Sequence, residues 1–351
     1  MSRFLSNELS KLTAYVPGEQ PQDKKYVKLN TNESPFPPSN GVINAIGNKE
    51  IERLRLYCDP QSKLLKSELA RVYNAEIENV FVSNGSDDIL NFAFMAYGHL
   101  GVAFADITYG FYSVFASLYG LDAQIVPLNS DFTLNVNGFL GLNKLIVIAN
   151  PNAPTGLVIS TSDVEKILLS NPNGVVVVDE AYVDFGGTSV SELTKKYNNL
   201  LCVQTFSKSR SMAGARLGFA IANAEIISDL EKIKYSTNPY NVNALTQIAG
   251  VSALKDNNYY KENALKIIEN RNYTVTELKK LGFTVLDSKA NFVFAKSDKI
   301  SGEELYKKLK ENGVLVRHFT SERIKEFNRI TIGSIEEMQI FIEKVKLILG
   351  E

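Results

Sequence analysis

The sequence predicts an α/β fold, in which a large domain holds a mostly parallel sheet sandwiched by helices and a smaller α+β domain lies beside it. Three observations lead to this fold class. Between about residues 80 and 203, short β-rich runs alternate with stretches long enough for crossover helices, an order typical of parallel sheets. One run, Val175 to Val178, has no polar residue, as in strands buried on both faces. After about Asn243 this alternation gives way to a long helical stretch.

The predicted elements follow one another in a readable order. The strands of the large domain are NVFVS, GVAFAD, AQIVPL, KLIVIAN, GVVVVDE and LLCVQTF. In the small domain, a helix through ENALKIIENRNYTVTELKKLG stops at Gly282 and is followed by the strands FTVLD and NFVFAK. The last helix begins at a capping box made by Ser334 and Glu337. We therefore place the large domain at residues 27–242, with the N-terminal arm and small domain at residues 1–26 and 243–351.

The net charge and the small numbers of cysteines and histidines limit the kinds of function this chain can have. The net charge is −1 and lysines are interleaved with glutamates, which disfavours a large nucleic-acid or membrane surface. The first residues lack an apolar segment of signal-peptide length and no run is long enough to span a bilayer, so we expect a cytoplasmic protein. Cys58 and Cys202 lie far apart, as do His99 and His318, so neither a disulfide framework nor a metal site is predicted. The chemistry is then expected from Lys, Asp, Tyr or Arg side chains, or from an organic cofactor.

Open α/β sheets bind ligands where strands end and loops lead into helices, and four such loops carry informative residues. In the first, Gly85, Ser86 and Asp87 would offer backbone N–H groups and a helix N-terminus to an anion. Taken alone, this loop is explained as well by simple N-capping by Ser86. The second, NPNAPTG at residues 150–156, is a rigid turn that suits either a ligand site or only a chain reversal.

The third loop begins at Asp179, which ends an apolar run and needs a cationic partner if it is buried. Two kinds of partner are possible for this carboxylate: a basic side chain in a structural salt bridge, or the protonated ring nitrogen of a cofactor. Tyr182, three residues further on, is placed to reach the same ligand.

The fourth loop, TFSKSRSMAGARLGFA, follows the strand LLCVQTF. Lys208 falls where the strand ends, while Thr205, Ser207 and Arg216 supply donors for a phosphate, and small residues let the loop close around a ligand. A solvated basic turn is the alternative, and for Arg210 we expect only a solvated or interfacial role. One ligand accounts for all the loops together: pyridoxal 5′-phosphate has an aldehyde for the lysine, a ring nitrogen for the aspartate and a phosphate for the cradle.

A series of segments, in order over nearly the whole chain, resembles the fold-type I, aspartate-aminotransferase-like enzymes, and more closely the histidinol-phosphate aminotransferases. The segments are LTAYVPGEQP, KLNTNESPFPPS, RLYCDPQSKLLKSELA, SNGSDDIL, ITYGFYSVFA, NPNAPTG, DEAYVDF, TFSKSRSMAGARLGFA, GVLVRHF and NRITIGS. The series is highly specific for the superfamily and less decisive for the substrate. The resemblance implies a homodimeric, pyridoxal-phosphate-dependent transaminase of histidine biosynthesis, which transfers the amino group of L-histidinol phosphate to 2-oxoglutarate.

The resemblance also implies roles for individual residues. Lys208 would bind the cofactor covalently and carry a proton between the substrate Cα and the cofactor C4′, while Asp179 would pair with the ring nitrogen. Tyr182 would donate to the phenolate oxygen, and Tyr109 would stack on the ring. The residues implied at the cofactor phosphate are Gly85, Ser86, Asp87, Thr205, Ser207 and Arg216, with Tyr57 from the neighbouring subunit. Those implied at the substrate are Tyr15, Asn32, Arg317 and Arg329.

One position departs from the pattern of these enzymes. The loop NPNAPTG carries Ala153 where they usually have an asparagine whose side chain donates to the cofactor phenolate. Alanine cannot make this bond, so we expect that Tyr182 makes the contact alone, or that Asn152 or a water molecule substitutes.

Other functions remain open at this point. Within the superfamily, the alternatives are a decarboxylase of a phosphorylated amino acid such as threonine phosphate and a broad aromatic aminotransferase. A pyridoxal-phosphate-sensing regulator or an inert binding protein is disfavoured, because the chain has no basic patch or spare segment for a DNA-binding module. The retained Lys208 and Arg216 also weigh against an inert descendant.

Overall fold

The computed structural model describes residues 3–7 and 9–351. Its strands, numbered in chain order, are β1 (Val27–Lys28), β2 (Val80–Ser83), β3 (Val102–Ala105), β4 (Ala123–Val126), β5 (Leu145–Ala149), β6 (Val176–Asp179), β7 (Leu200–Thr205), β8 (Gly218–Ala222), β9 (Phe283–Val285), β10 (Phe292–Ser297), β11 (Val314–Leu315), β12 (Arg317–His318) and β13 (Asn328–Thr331).

The α-helices are numbered in the same way. They are α1 (Asn40–Ala45), α2 (Asn48–Glu52), α3 (Lys63–Tyr73), α4 (Ser86–Tyr97), α5 (Phe111–Leu118), α6 (Thr161–Ser170), α7 (Ala224–Thr237), α8 (Ala244–Lys255), α9 (Asn257–Lys280), α10 (Gly302–Glu311) and α11 (Ile335–Leu349). Short 3₁₀ turns connect several of them.

A seven-stranded sheet forms the centre of the fold, with the strand order β2-β8-β7-β6-β5-β3-β4. Only β8 runs antiparallel to its neighbours, and the remaining pairs are parallel. The apolar strand β6 lies between β5 and β7 and is buried along its whole length. These features confirm the predicted fold class, because fully buried apolar strands need helices on both faces of the sheet.

Helices cover both faces of this sheet. On one face, apolar residues of α4, α5 and α7 pack on Phe81, Val177 and Leu201. On the other face, α6 packs on strand residues such as Ile146 and Val178. The alternating residues of one strand therefore serve two separate cores, and this leaves the ends of the strands as the place for polar side chains.

A second, antiparallel sheet has the order β12-β13-β10-β9 and packs against α9, α10 and α11. Helix α9 ends at Lys280, and Gly282 then adopts a φ of +86°, which suits the predicted stop at this glycine. Helix α11 begins with the predicted capping box, in which Ser334 Oγ accepts from Glu337 N and the Glu337 carboxylate accepts from Ser334 N.

The division at residues 26/27 and 242/243 stays a prediction, and the contacts at both boundaries are informative. Strand β1 pairs in parallel with β11, next to the small sheet, and Leu29 joins the core of the small sheet. Helix α8 packs on α1 and α3, beside the large sheet. Chain segments therefore cross between the two sheets at both ends of the large domain.

Parallel strands bring their carboxyl ends to one edge of the large sheet. The carboxyl ends of β2, β5, β6 and β7 meet there, since β2 and β7 are both antiparallel to β8. All four predicted ligand-binding loops leave from this edge. No helix in the part of the chain that the structure describes is long and apolar enough to cross a membrane.

Candidate active site

A cavity of about 380 Å³ opens at the carboxyl edge of the large sheet. Its walls contain many of the residues singled out from the sequence, which come from loops far apart in the chain. The predicted residues that line it are Ser86, Asp87, Tyr109, Asp179, Tyr182, Thr205, Ser207, Lys208 and Arg216. The remaining lining residues are Gln20, Thr31, Glu33, Ala149, Pro151, Ala153, Ala181, Ala213 and Gly214.

One wall of the cavity is the start of helix α4. Gly85 precedes the helix with a φ of +90°, and a Cβ at this position would lie 2.6 Å from Arg216 Nη2. A Cβ on Gly218 would lie 2.3 Å from the backbone nitrogen of Ser86. Only glycine permits this close approach between β8 and the helix N-terminus, where unpaired N–H groups and the helix dipole favour an anion.

Side chains extend this donor set. Thr205 Oγ1 donates to Ser207 Oγ over 3.0 Å, and Arg216 Nη1 lies 3.5 Å from the same Ser207 oxygen. Arg216 Nη2 donates to Asp87 Oδ2 over 3.1 Å, which fixes the direction of the guanidinium group. Hydroxyls, a guanidinium group and a helix N-terminus therefore converge, and this combination fits the phosphate of pyridoxal 5′-phosphate.

Asp179, the last residue of β6, lies at the bottom of the cavity and is 5% exposed. Its Oδ2 accepts from the Tyr112 hydroxyl over 2.7 Å, and its Oδ1 accepts from Ala181 N over 3.2 Å. Burial raises the pKa of Asp179 to about 6. No lysine or arginine of residues 3–7 and 9–351 forms an ion pair with it, so the structural salt bridge considered above is not observed.

Lys208 lies just beyond the end of β7 and points its amine toward the N-terminal part of the chain. Its Nζ donates to the Thr31 carbonyl over 3.3 Å and lies 5.8 Å from the centroid of the Tyr182 ring. The amine, the Tyr182 ring and the Asp179 carboxylate therefore surround the same space, as a covalently held ring cofactor requires.

Asn32 and Tyr182 are joined below this space. Asn32 is 1% exposed, its Nδ2 donates to the Tyr182 hydroxyl over 3.0 Å, and its Oδ1 accepts from Thr331 Oγ1 over 2.9 Å. Because Asn32 donates to the hydroxyl oxygen, the hydroxyl hydrogen of Tyr182 is free to point into the cavity.

Tyr109 and Tyr15 form an aromatic wall. The Tyr109 hydroxyl donates to Asp87 Oδ1 over 2.8 Å, and burial raises the pKa of this phenol well above its ordinary value. The Tyr15 ring lies 6.3 Å from that of Tyr109 and 4.3 Å from that of Phe111. The N-terminal arm therefore packs on the large domain beside the cavity.

Arg317 and Arg329 are direct partners on the neighbouring strands β12 and β13. Arg317 donates to the carbonyls of Val16 and Pro17, whereas Arg329 Nη2 donates to the Asn30 carbonyl over 2.9 Å. Arg329 Nε is buried and finds no hydrogen-bond acceptor among the described residues. Burial raises the pKa of Tyr15, and the charges of Arg317 and Arg329 oppose this shift.

The predicted residues that do not line the cavity are Tyr15, Asn32, Gly85, Arg317, Arg329 and Tyr57. Among the predicted positions, Tyr57 and Asn152 are occupied by other contacts. Tyr57 is 83% exposed, stacks on Tyr240 with a centroid distance of 4.5 Å, and is not among the residues that line the cavity of its own chain. The Asn152 side chain is engaged by Thr155 of its own loop and by Thr108 and the Ile107 carbonyl of the segment that follows β3. Asn152 is therefore not available to replace the asparagine missing at position 153.

Of the two roles expected for Arg210, solvated or interfacial, the solvated role is wrong. Arg210 is 5% exposed; its Nη1 donates to Asn257 Oδ1 over 3.1 Å, and its guanidinium carbon lies 5.3 Å from the centroid of the Phe206 ring. The loop folds back onto the start of α9, where the Arg210 guanidinium carbon also lies 5.9 Å from the centroid of the Tyr260 ring. An arginine among small residues gives no local signal of burial.

Other residues were missed because their partners are distant in sequence. Tyr112 was not identified as the partner of Asp179, although a tyrosine on a strongly apolar helix signals a buried hydroxyl that needs an acceptor. Thr31 and Glu33 flank Asn32 in the segment KLNTNES, and both line the cavity. No cluster of His, Cys, Asp and Glu that could hold a metal ion occurs in the described ranges, residues 3–7 and 9–351.

The architecture defines the class of protein. The structure matches that of a histidinol-phosphate aminotransferase from Sinorhizobium meliloti, solved in complex with pyridoxal-5′-phosphate, with a TM-score of 0.90 and 22% sequence identity over 100% of this chain and 98% of that one. The chain therefore has the α/β fold of such aminotransferases, with a lysine in the cavity at the edge of the sheet.

Sequence comparison then gives the family. The model of the family described as aminotransferase class I and II matches residues 24–345, and the chain belongs to this family. A histidinol-phosphate aminotransferase of Brachyspira hyodysenteriae is 51% identical over 352 residues, which cover 99% of each chain. One of Clostridium botulinum (strain Kyoto / Type A2) is 46% identical over 353 residues, which cover 100% of each chain.

Proposed function

We propose that this chain is a pyridoxal-phosphate-dependent aminotransferase that converts L-histidinol phosphate and 2-oxoglutarate to imidazole-acetol phosphate and L-glutamate. The relatives at 46% and 51% identity, which match over 99–100% of their length, are named histidinol-phosphate aminotransferase. The observation that carries the proposal is the pair Arg317 and Arg329 beside Tyr15, with the buried Nε of Arg329 lacking an acceptor. Two guanidinium groups at one site suit a substrate that bears a phosphate.

The lysine and the aspartate are proposed to perform the central chemistry. Pyridoxal 5′-phosphate supplies, when bound, an electron sink that weakens the Cα–H bond of an amine substrate. Lys208 Nζ would hold the cofactor and move the proton between the substrate Cα and the cofactor C4′, since it is an amine at the centre of the cavity. Asp179 would accept from the protonated ring nitrogen, which gives this buried carboxylate the cationic partner that the protein itself does not provide.

Tyrosines are proposed to orient the ring. Tyr182 would donate to the phenolate oxygen alone, because Ala153 has no donor and the Asn152 amide is already bonded to Ile107, Thr108 and Thr155. Asn32 supports this role, since it occupies the Tyr182 oxygen as a donor and leaves the hydroxyl hydrogen for the cofactor. Tyr109 would stack on the ring, held by its bond to Asp87.

The cofactor phosphate would lie at the start of α4. The proposed contacts are Gly85, Ser86, Asp87, Thr205, Ser207 and Arg216, of which all but Gly85 line the cavity. Asp87 accepts from Arg216, so its proposed part is to hold the guanidinium group and to offer its backbone N–H.

A homodimer is also part of the proposal. Tyr57 lies outside the cavity of its own chain, and a second subunit would bring it to the cofactor phosphate. The surface around Tyr57 exposes a series of apolar side chains that an interface would cover, namely Ile51, Leu54, Leu56 and Leu64. A cytoplasmic location and the use of 2-oxoglutarate as amino acceptor complete the proposal.

The proposal is tested by incubating the holoenzyme with histidinol phosphate and 2-oxoglutarate and measuring glutamate. Phosphothreonine, phenylalanine and tyrosine serve as competing amino donors, and release of carbon dioxide from phosphothreonine is followed separately. Glutamate formed fastest from histidinol phosphate supports the proposal. If histidinol phosphate yields no glutamate while another donor reacts, the proposed substrate is wrong.

A further inference from the structure

Glu33 lies between β1 and α1 and lines the cavity beside Thr31. Its Oε2 accepts from Lys28 Nζ over 2.6 Å and from Thr31 Oγ1 over 2.7 Å. Its Oε1 accepts no hydrogen bond from residues 3–7 and 9–351. The carboxylate is therefore held in place by one oxygen, while the other remains an available acceptor.

This availability distinguishes Glu33 from the other carboxylates of the cavity. Both oxygens of Asp87 are used, by Tyr109 and Arg216. Both oxygens of Asp179 are used as well, by Tyr112 and by the backbone of Ala181. Within the described residues, Glu33 is therefore the cavity carboxylate that has one oxygen accepting no hydrogen bond from the protein.

Glu33 is also close to the reacting centre. Thr31 donates to the Glu33 carboxylate through its side chain and accepts from Lys208 Nζ through its carbonyl. Burial alone would raise the pKa of Glu33, but the bonds from Lys28 and Thr31 and the charge of Lys208 outweigh it and lower this pKa. The carboxylate is thus ionised at neutral pH. It lies two positions along the chain from Thr31, whose carbonyl accepts from Lys208 Nζ.

The proposed substrate has two recognisable ends besides its amine. Its phosphate is anionic and suits Arg317 and Arg329, whereas its imidazole ring carries an N–H donor that becomes a cation when the ring is protonated. A carboxylate with a free oxygen is the complementary group for such a donor. From this complementarity we propose that Glu33 is a specificity-determining residue, which accepts a hydrogen bond from the imidazole N–H of the amino donor.

This inference rests on the proposed function, and a matched pair of substrates separates the two. Phenylalaninol phosphate has the same amine and phosphate as histidinol phosphate, but its phenyl ring has no N–H donor. The holoenzyme and its variants are compared by the ratio of kcat/KM for histidinol phosphate to that for phenylalaninol phosphate. If the unmodified enzyme forms no glutamate from histidinol phosphate, the proposed function fails, and that result is seen before any variant is measured.

Two substitutions at Glu33 and one nearby form the test. Glu33→Ala is expected to lower the ratio by roughly 10- to 100-fold, the effect of losing a hydrogen bond to a charged group. Glu33→Gln keeps an acceptor oxygen without the charge, so its ratio should fall less. Lys28→Gln removes the ion pair but leaves the carboxylate and Thr31 in place, and its ratio should stay within about threefold of the unmodified enzyme.

Circular dichroism and the cofactor absorbance band show whether each variant is folded and loaded. A ratio in Glu33→Ala within about twofold of the unmodified enzyme would overturn the inference, because this change is below the effect expected for a lost hydrogen bond. A loss in Lys28→Gln as large as that in Glu33→Ala would also overturn it, since the ion pair and not the free oxygen would then set the preference.

Discussion

The buried carboxylate of Asp179 is expected to destabilise the folded protein when no cofactor is bound. The substitution Asp179→Asn should remove this destabilisation. Burial raises its pKa to about 6 from the ordinary value of 3.8. The folded protein therefore binds more protons than the unfolded chain between about pH 4 and pH 6, so the free energy of unfolding falls as pH rises through this window. The difference of about 2 pKa units corresponds to about 3 kcal/mol at pH 7.

Asparagine matches aspartate in shape and carries no charge. The substituted side chain can still accept from Ala181 N and pair with the Tyr112 hydroxyl, which is both a donor and an acceptor. We therefore expect the cofactor-free variant to be more stable than the parent by up to about 3 kcal/mol at pH 7 and nearly equal to it at pH 4. In the holoenzyme the same change removes the partner of the ring nitrogen, so kcat should fall by roughly 100-fold or more.

The assay is urea unfolding of both proteins, freed of cofactor, at pH values from 4 to 8. The informative quantity is the difference between their free energies of unfolding as a function of pH. We expect this difference to open between pH 4 and pH 6 and to stay constant at higher pH. A difference that does not vary with pH, or a variant that loses stability as pH rises, would refute it. Glutamate formation by the reconstituted proteins gives kcat in parallel.

Three other changes test the rest of the site. Gly218→Ala would place a Cβ 2.3 Å from Ser86 N. The substitution should weaken cofactor binding at least about tenfold, because overpacking costs about 1–3 kcal/mol and tenfold lies at the lower end of this range. Gly214→Ala is the control, since a Cβ there meets no described atom within 4 Å. If absorbance titration gives the two variants equal affinities for the cofactor, the proposed phosphate site at the start of α4 is contradicted. Lys208→Ala should abolish the visible absorbance band of the bound cofactor together with glutamate formation, and a variant that keeps both would remove the lysine from the proposed chemistry. Ala153→Asn should restore a donor to the phenolate and lower the pKa of the lysine–cofactor linkage, followed by absorbance against pH; an unchanged pKa would show that the loss at position 153 is already compensated.

Much of the fold could be read from short-range patterns. The strand β6 is an uninterrupted valine run that ends at a charged residue, and such a run fits only a strand buried on both faces. Because the predicted strands run in parallel, their carboxyl ends must share an edge, and this rule alone gathers Asp179, Thr205 and Ser86 at one place. The helix stop at Gly282 and the cap at Ser334 are equally local signals.

The sequence was less informative where a side chain depends on a distant partner. For Arg210 a solvated or interfacial role was expected, yet α9 covers its side chain. The pairing of Arg317 with Arg329 depends on the register of β12 and β13. This register is set by how the strands pack and not by the identity of the two arginines.

The sequence by itself therefore determined the class of fold, the loops that surround the ligand and the chemical types of their side chains. These properties follow from periodicity and from strand ends, which are encoded within a few residues. Only the tertiary structure decided which polar atoms are satisfied. It joined Tyr112 to Asp179 across 67 positions and Asn32 to Thr331 across 299, and it left one oxygen of Glu33 without a hydrogen-bond donor among the described residues. Such hydrogen-bond partners are chosen by three-dimensional packing, because every buried polar group must find an acceptor or donor wherever the chain brings one.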